Sequence, residues 1–260
     1  MVKKETTYHN IRKENRQIPV SATGSNKKLL MNALCDIFLD AASQHFSEAE
    51  IFEVKERGKN YVWTLSKIFT RNFRLPVLKE EISIATWLKK TEKAHVIRDF
   101  HLFNESKQVL IGASTAYSLS DTVSGKTMKD AASLVEESML EPSKHAVRQK
   151  FEKLSPVETP DTEIMIRAEY CDLDIHGFVK ESKHVEWIMN LFPKKIHESK
   201  NIREFHLNIH DRLKIDERMN LKMRRHPDIH DMIEIEGNKE NDGSCVLRGR
   251  VVWDENIEMD

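Results

Sequence analysis

One stretch limits the possible folds of this chain more than any other. From Lys27 to Phe46, KKLLMNALCDIFLDAASQHF, the apolar residues Leu30, Ala33, Leu34, Ile37, Phe38, Ala41 and Ala42 recur at three- and four-residue spacing. That spacing gathers them on one side of an α-helix. The stripe takes up nearly half the circumference, so the helix is expected to be wrapped or covered by a sheet. Ser25 or Asn26 is expected to cap its start.

Strand-like segments follow, beginning with Tyr61 to Arg74. Glu81 to Lys89 alternates, with Ile82, Ile84 and Leu88 on one side, and His95 to Phe103 comes next. Gln108 to Leu119 then places Val109, Ile111, Ala113, Thr115, Tyr117 and Leu119 on one face. Asn104 to Lys107 reads as a hairpin turn. The first half is therefore a long helix followed by an antiparallel meander.

From about Met128 to Pro160 the pattern breaks, with Pro142, Pro156 and Pro160 among many charges and a short helix expected over Ala131 to Leu140. The second half returns to the first plan. Glu163 to Tyr170 alternates, DLDIHG turns, and Val179 to Ile196 reads as a helix with Val185, Ile188, Met189 and Phe192 at helical spacing. Glu204 to Arg212, Asn220 to Arg224, Asp228 to Glu236 and Ser244 to Trp253 read as strands. The plan thus occurs twice, about 150 residues apart. The expected organisation is an N-terminal domain over 1–135, a linker over 136–160 and a C-terminal domain over 161–260. A long helix lying across a curved antiparallel sheet is the hot-dog arrangement, and two such units can pair their sheets edge to edge. The expected class is α+β, a double (tandem) hot-dog; an α+β sandwich is the plainer alternative.

Composition narrows the function. The formal net charge is -1, without the basic excess of a nucleic-acid binder. Cys35, Cys171 and Cys245 are far apart and odd in number, which fits a reducing compartment rather than a disulfide framework. The N-terminal residues lack the apolar core of a signal peptide, and no apolar run reaches membrane-spanning length. The chain reads as soluble and cytoplasmic, with no membrane span and no nucleic-acid partner.

Tyr170 to Asn190, YCDLDIHGFVKESKHVEWIMN, resembles the acyl-ACP thioesterase family of plants and bacteria. In that family an Asp-Leu-Asp turn leads into Asn-x-His, then Val-Asn-Asn and a helix bearing Tyr-Ile-x-Trp. The matching residues here are Asp172, Leu173, Asp174, Gly177, Val179, Val185, Glu186 and Trp187. Trp63 to Arg74, EEISIATW over Glu80 to Trp87, and RDF over Arg98 to Phe100 are similar to the family's N-terminal domain. The resemblance runs from about Tyr8 to Trp253. It implies a tandem hot-dog whose N-terminal domain binds the acyl chain and whose C-terminal domain carries the catalytic position. The implied reaction is hydrolysis of the thioester of fatty acyl-ACP to free fatty acid in fatty acid biosynthesis. It needs no cofactor and takes acyl carrier protein as partner; a homodimer is compatible with it.

The same resemblance marks departures. His176 stands at the family's Asn, Phe178 at its catalytic His, and Val179, Lys180 and Glu181 at Val-Asn-Asn. Arg212 and Leu213 stand at a later acidic position. Two readings stay open. In the first, Asp174 orients the reactive group or water, His176 serves as a substitute base, and the backbone N–H groups of Gly177 and Phe178 polarise the carbonyl near a helix N-terminus. In the second, a pseudo-thioesterase holds acyl-ACP or an acyl chain without cleaving it. A hot-dog hydratase is a third possibility, lacking an evident acid/base pair. Trp87 is a candidate for the acyl tunnel.

Plainer roles stand beside these. Asp172 and Asp174 suit turns and caps in any protein. His206 and His210 fall in an expected strand, about 13 Å apart and too far to share an ion. His226 and His230, with Asp228 and Asp231, lack a known ligand spacing, and no metal site is expected. Lys194, Lys195, Arg224 and Arg225 are candidate contacts for an acidic carrier, or, for the lysines, residues suited to a helix C-terminus. Cys171 is read as a small buried residue, and Trp63, Trp87 and Trp187 as core.

Overall fold

The computed structural model describes residues 9–56 and 58–255. The expected start of the resemblance at Tyr8, and the outer ends of the expected domains 1–135 and 161–260, lie outside the described residues. The first half contains β1 (Ile11–Gln17), α1 (Met31–Glu48), β2 (Glu53–Glu56), β3 (Lys59–Asn72), β4 (Glu81–Glu92), β5 (His95–Asn104) and β6 (Val109–Asp121). The second contains β7 (Thr162–Arg167), α2 (Glu181–Met189), α3 (Lys194–Ser199), β8 (Lys200–Ile209), β9 (Arg218–Arg225), β10 (Met232–Lys239) and β11 (Cys245–Glu255).

All eleven strands form one antiparallel sheet, in the order β1-β4-β5-β6-β3-β8-β11-β10-β9-β7, with β2 paired to β3. The order is a palindrome of function within each half: β1 answers β7, β4 answers β9, β5 answers β10, β6 answers β11, and β3 meets β8 in the middle. That central ladder pairs Lys67 with Asn208 through to Arg71 with Glu204. The two halves also start their helices alike. A 3-10 turn at Val20–Ala22 answers one at Tyr170–Asp172. A bridge between Thr23 and Leu29 answers one between Leu173 and Val179, and Met31 answers Glu181 as first helical residue. Each pair is separated by 150 residues.

The apolar stripe of α1 faces the sheet as its spacing predicts. Leu34, Phe38, Ala41, Ala42 and Phe46 share one core with Ile82, Ile84, Leu88, Phe100, Leu102 and Tyr117. Phe38 and Phe100 lie 4.4 Å apart by ring centroids, and Phe46 stacks on Trp63 at 5.0 Å. A fully buried side chain of this size contributes about 2 kcal/mol. Strand alternation on β4 also divides as expected, with Ile82, Ile84 and Leu88 turned towards the helix core. Among the described residues no helix is long and apolar enough to cross a membrane.

Several local expectations are corrected. Helix α1 begins at Met31, not Lys27, and neither Ser25 nor Asn26 caps it. Gly24 to Lys28 is a turn instead: Lys27 has φ 61°, and Asn26 Oδ1 accepts the Lys28 N–H at 3.0 Å. The expected helix Val179 to Ile196 is two, because Pro193 removes an N–H and bars the preceding residue from helical geometry. Lys194 and Lys195 consequently open α3 rather than close a helix. Residues 131–140 hold two 3-10 turns, and Cys171 is exposed. Strand β1 escaped detection because its charged residues hide its alternation.

The connection between halves is also more ordered than its composition suggests. It straps the outer face of the sheet, burying Val147, Leu154 and Val157. Trp87 lies beneath it, fully buried, donating from Nε1 to the Lys144 carbonyl at 3.2 Å. Trp87 is thus packed on the face opposite Ile82, Ile84 and Leu88. Next to it, Lys89 Nζ bonds Asp99 Oδ2 at 2.9 Å and the Val147 carbonyl at 3.2 Å, while the Ala146 N–H donates to the same carboxylate oxygen at 2.9 Å.

Removing the ammonium leaves a buried carboxylate without its counter-charge. Lys89→Met is expected to lower the unfolding free energy by about 3 kcal/mol, read from urea titration. Acid acts through three buried histidines. Burial first, and neighbouring arginines second, pull His45 to about 3 and His184 and His206 to about 4. The unfolded chain therefore binds protons that the folded chain refuses. Stability is full above about pH 6.5, the ordinary histidine value, and falls as pH drops towards about 4. Thermal unfolding followed from pH 7.5 to 5 is expected to show this loss, and His206→Gln to reduce its slope.

Candidate functional site

The DLDIHG turn is built by Asp174. Its Oδ1 accepts the backbone N–H of His176 at 2.8 Å and of Phe178 at 3.0 Å, and its main-chain carbonyl accepts the Gly177 N–H at 3.1 Å. Gly177 has φ +80°, a conformation that favours glycine. The other carboxylate oxygen of Asp174 meets Arg212 Nη2 at 2.5 Å. The turn thus brings Asp174 to Arg212, which stands just beyond β8.

Phe178, 2% exposed, fills the space beside this pair. Arg212 lies over its ring at 4.2 Å and Lys214 at 5.2 Å from the centroid. Gly125, in the turn after β6, comes so close that a Cβ there would stand 3.1 Å from two Phe178 ring atoms. A phenyl face between two cations is an attractive arrangement, so Phe178 holds Arg212 from one side while Asp174 holds it from another.

The expected site residues are only partly assembled. His176 is half-buried two residues from Asp174, but only its backbone meets the carboxylate; its ring takes part in no hydrogen bond among the described residues. The backbone N–H groups of Gly177 and Phe178 are both spent on Asp174. They are not presented to a carbonyl, which corrects their assignment as oxyanion donors. Among the described residues no group of three metal-ligating side chains converges.

Inside the turn lies a polar cleft that the sequence reading did not single out. Its volume is about 50 Å³. Thr64, Leu65 and Ser66 of β3 and Ser120, Gly125 and Thr127 of the β6 turn form one wall. Val179, Glu181 and His184, with Ile209 to Arg212, form the other. The cleft is therefore made by both halves, next to the β3–β8 junction. A register irregularity in β3 between Leu65 and Lys67 brings Ser66 to its edge.

Two residues that line this cleft carry buried polar atoms short of partners: Arg212 Nη1 has none, and the His184 ring has only the Lys180 backbone beside it. His184 is 1% exposed, and burial first, then Arg212, pulls it down to about 4, so it is neutral near pH 7. Glu181 opens α2, half-buried; burial pushes its carboxyl above the usual carboxylate value, partly opposed by Arg212. A fixed cation, a neutral imidazole and a carboxyl shifted upward share one small space. Leu34 and Met31 hold the matching places in the first half. The available sequence signal was therefore the break in apolar character at the two corresponding positions of the second helix.

Comparison with known proteins adds to this geometry. Residues 9–137 match the model of the acyl-ACP thioesterase N-terminal domain. No curated protein matches. Among solved structures, a 12:0-ACP thioesterase from Umbellularia californica superposes with a TM-score of 0.80 at 18% identity, covering 96% of this chain and 99% of that one. An acyl-ACP thioesterase from Bacteroides thetaiotaomicron superposes with a TM-score of 0.78 at 19% identity, covering 94% and 98%. At these identities the likeness is one of fold, the double hot-dog.

The ties of Asp174 can be measured apart from any activity. Asp174→Ala leaves two N–H groups and Arg212 without their acceptor and is expected to cost about 2 kcal/mol in urea unfolding. Asp174→Asn keeps the acceptor for the turn but loses the ion pair, and is expected to cost about half as much.

Proposed function

The chain belongs to the acyl-ACP thioesterase family through its N-terminal domain, and from that premise we propose that it hydrolyses the thioester of fatty acyl-ACP to free fatty acid. The observation that carries the reading is the buried, unpartnered Nη1 of Arg212, a residue that lines the polar cleft. Thioester hydrolysis needs a fixed donor where negative charge develops on the carbonyl oxygen. Asp174 and Phe178 hold the Arg212 side chain from two directions and leave Nη1 free to serve there. Asp174 is then a positioning residue. His176 is half-buried, and in this reading its ring meets the carrier's prosthetic arm or acts as a base.

In this reading the acidic carrier protein is the partner, fatty acid biosynthesis in the cytoplasm is the setting, and no cofactor takes part. Residues 1–135 receive the acyl chain and 161–260 supply the reacting groups. Of the basic residues expected to meet the carrier, Lys194 is paired with Glu198 and Arg224 with Glu234, which leaves Lys195 and Arg225 as the better candidates.

One observation favours a second reading. Phe178 occupies the family's histidine position as a packed ring, and a phenyl group transfers no proton. A protein that holds acyl-ACP without cleaving it would tolerate that residue.

The deciding experiment is release of free fatty acid from a panel of acyl-ACPs by the purified protein. Turnover is expected, with Arg212→Ala lowering kcat by about 100-fold and Arg212→Lys retaining part of it. His176→Ala tests that base in the same assay. A folded protein that releases no acid from any chain length, and that purifies with a bound acyl group, would replace hydrolysis by binding.

A further inference from the structure

We infer that the attacking water is held and activated inside the cleft by Glu181 and His184, two residues of α2 that line it. The inference rests on the hydrolytic reading above and names the groups that would perform it.

The first argument is space. The cleft measures about 50 Å³, above the roughly 15 Å³ that one water needs on the same measure, so it has room for water. A thioester carbonyl reaching its mouth would lie between that water and Arg212.

The second argument is hydrogen-bond demand. An imidazole buried to 1% exposure has only the Lys180 backbone beside its ring, which leaves at least one ring nitrogen without a partner, and that is costly. Water or substrate in the cleft gives that nitrogen its partner. The wall hydroxyls compete little for that place. Thr64 Oγ1 and Ser120 Oγ bond each other at 2.7 Å, and Ser66 Oγ bonds Ser118 Oγ at 2.6 Å.

The third argument is the replacement pattern. The positions matching Glu181 and His184 in the first half are Met31 and Leu34, both buried in the apolar core. The shared architecture of the helix start is satisfied by apolar residues there. The polar pair therefore answers to something present only at the second helix, where Arg212 is the counter-charge.

The step balances simply. Glu181 as carboxylate takes a proton from the water while His184 fixes the water's position. The hydroxide oxygen bonds the thioester carbon, and the resulting oxyanion lies against Arg212 Nη1. The C–S bond then breaks, the proton on Glu181 passes to the departing thiolate, and carboxylic acid and carrier thiol are released. No oxidant, metal or cofactor enters.

The groups facing Glu181 set its working range. Arg212 and Asp174 lie beyond the turn, Cys35 on α1, Tyr117 on β6, and His184 on its own helix. Burial outweighs Arg212, so Glu181 loses its proton above the ordinary glutamate value. Activity should rise with pH through that point.

The test compares wild type with Glu181→Gln and His184→Gln on one acyl-ACP, reading kcat, KM and the pH profile in the full chain. Both substitutions keep size and polarity; circular dichroism and urea unfolding check folding, with Glu181→Asp as a conservative rescue. The inference expects kcat down by about 100-fold or more in both Gln variants with KM little changed, loss of the acid limb in Glu181→Gln, and partial recovery in Glu181→Asp. Wild-type turnover with both folded Gln variants within twofold of it overturns the inference and leaves hydrolysis standing. Absence of wild-type turnover overturns the hydrolytic reading and the inference with it.

Discussion

The β3–β8 ladder is the constraint on which the rest of the structure depends. Each half has one principal helix with a wide apolar face, and one short sheet cannot close around it without leaving open edges. Pairing Lys67–Arg71 with Glu204–Asn208 joins the two sheets into one. It removes an exposed edge from each half and sets the start of α2 against the middle of β3. The polar cleft exists because of that join: Thr64 to Ser66 come from one half and Glu181 to His184 from the other. The strap across the outer face reinforces the joint, with Asn208 bonded to the Glu152 carbonyl and Arg250 to the Glu152 carboxylate.

Within that frame Phe178 and Arg212 depend on each other. By the resemblance Phe178 stands at the family's histidine, and the reading proposed above puts Arg212 at its later acidic position. Either substitution alone would leave an unfavourable neighbour. An arginine without Asp174 would be a partly buried cation lacking its counter-charge, and a phenyl ring without Arg212 and Lys214 would lose its cationic contacts. Together they make a packed unit in which the cation is fixed and one of its nitrogens is left for a ligand. In the proposal above, proton transfer falls to Glu181 and His184 at the start of α2, where burial has shifted the glutamate upward and kept the histidine neutral.

Much of the architecture could be read from the sequence because it follows from periodicity. The three- and four-residue spacing of Leu34, Phe38 and Ala41 announced a helix, and the alternation of Ile82, Ile84 and Leu88 announced its cover. The departures at His176 and Phe178 could also be read, since the turn motif fixes their register; Arg212 lies far beyond that motif, and its tie to Asp174 comes from the fold. What escaped depends on contacts far apart in the chain. The place of Trp87 under the strap is one example: its strand parity turns it from the helix core, but only the fold brings Lys144 over it. The N–H groups of Gly177 and Phe178 were assigned to a ligand because nothing in the sequence reveals that Asp174 has already taken them. His184 was passed over because a histidine on an apolar helix face carries no motif; only the polar cleft opposite it gives it meaning.

The central claim is that the remade cluster still directs water onto an acyl thioester. Single-turnover reaction of stoichiometric protein with acyl-ACP in 18O-labelled water, read by mass spectrometry of the released acid, tests it most directly. The account predicts conversion of the acyl-ACP to free carrier and a fatty acid carrying one solvent oxygen, with no acyl group on the protein at any time. Recovery of intact acyl-ACP after incubation with folded protein would contradict it.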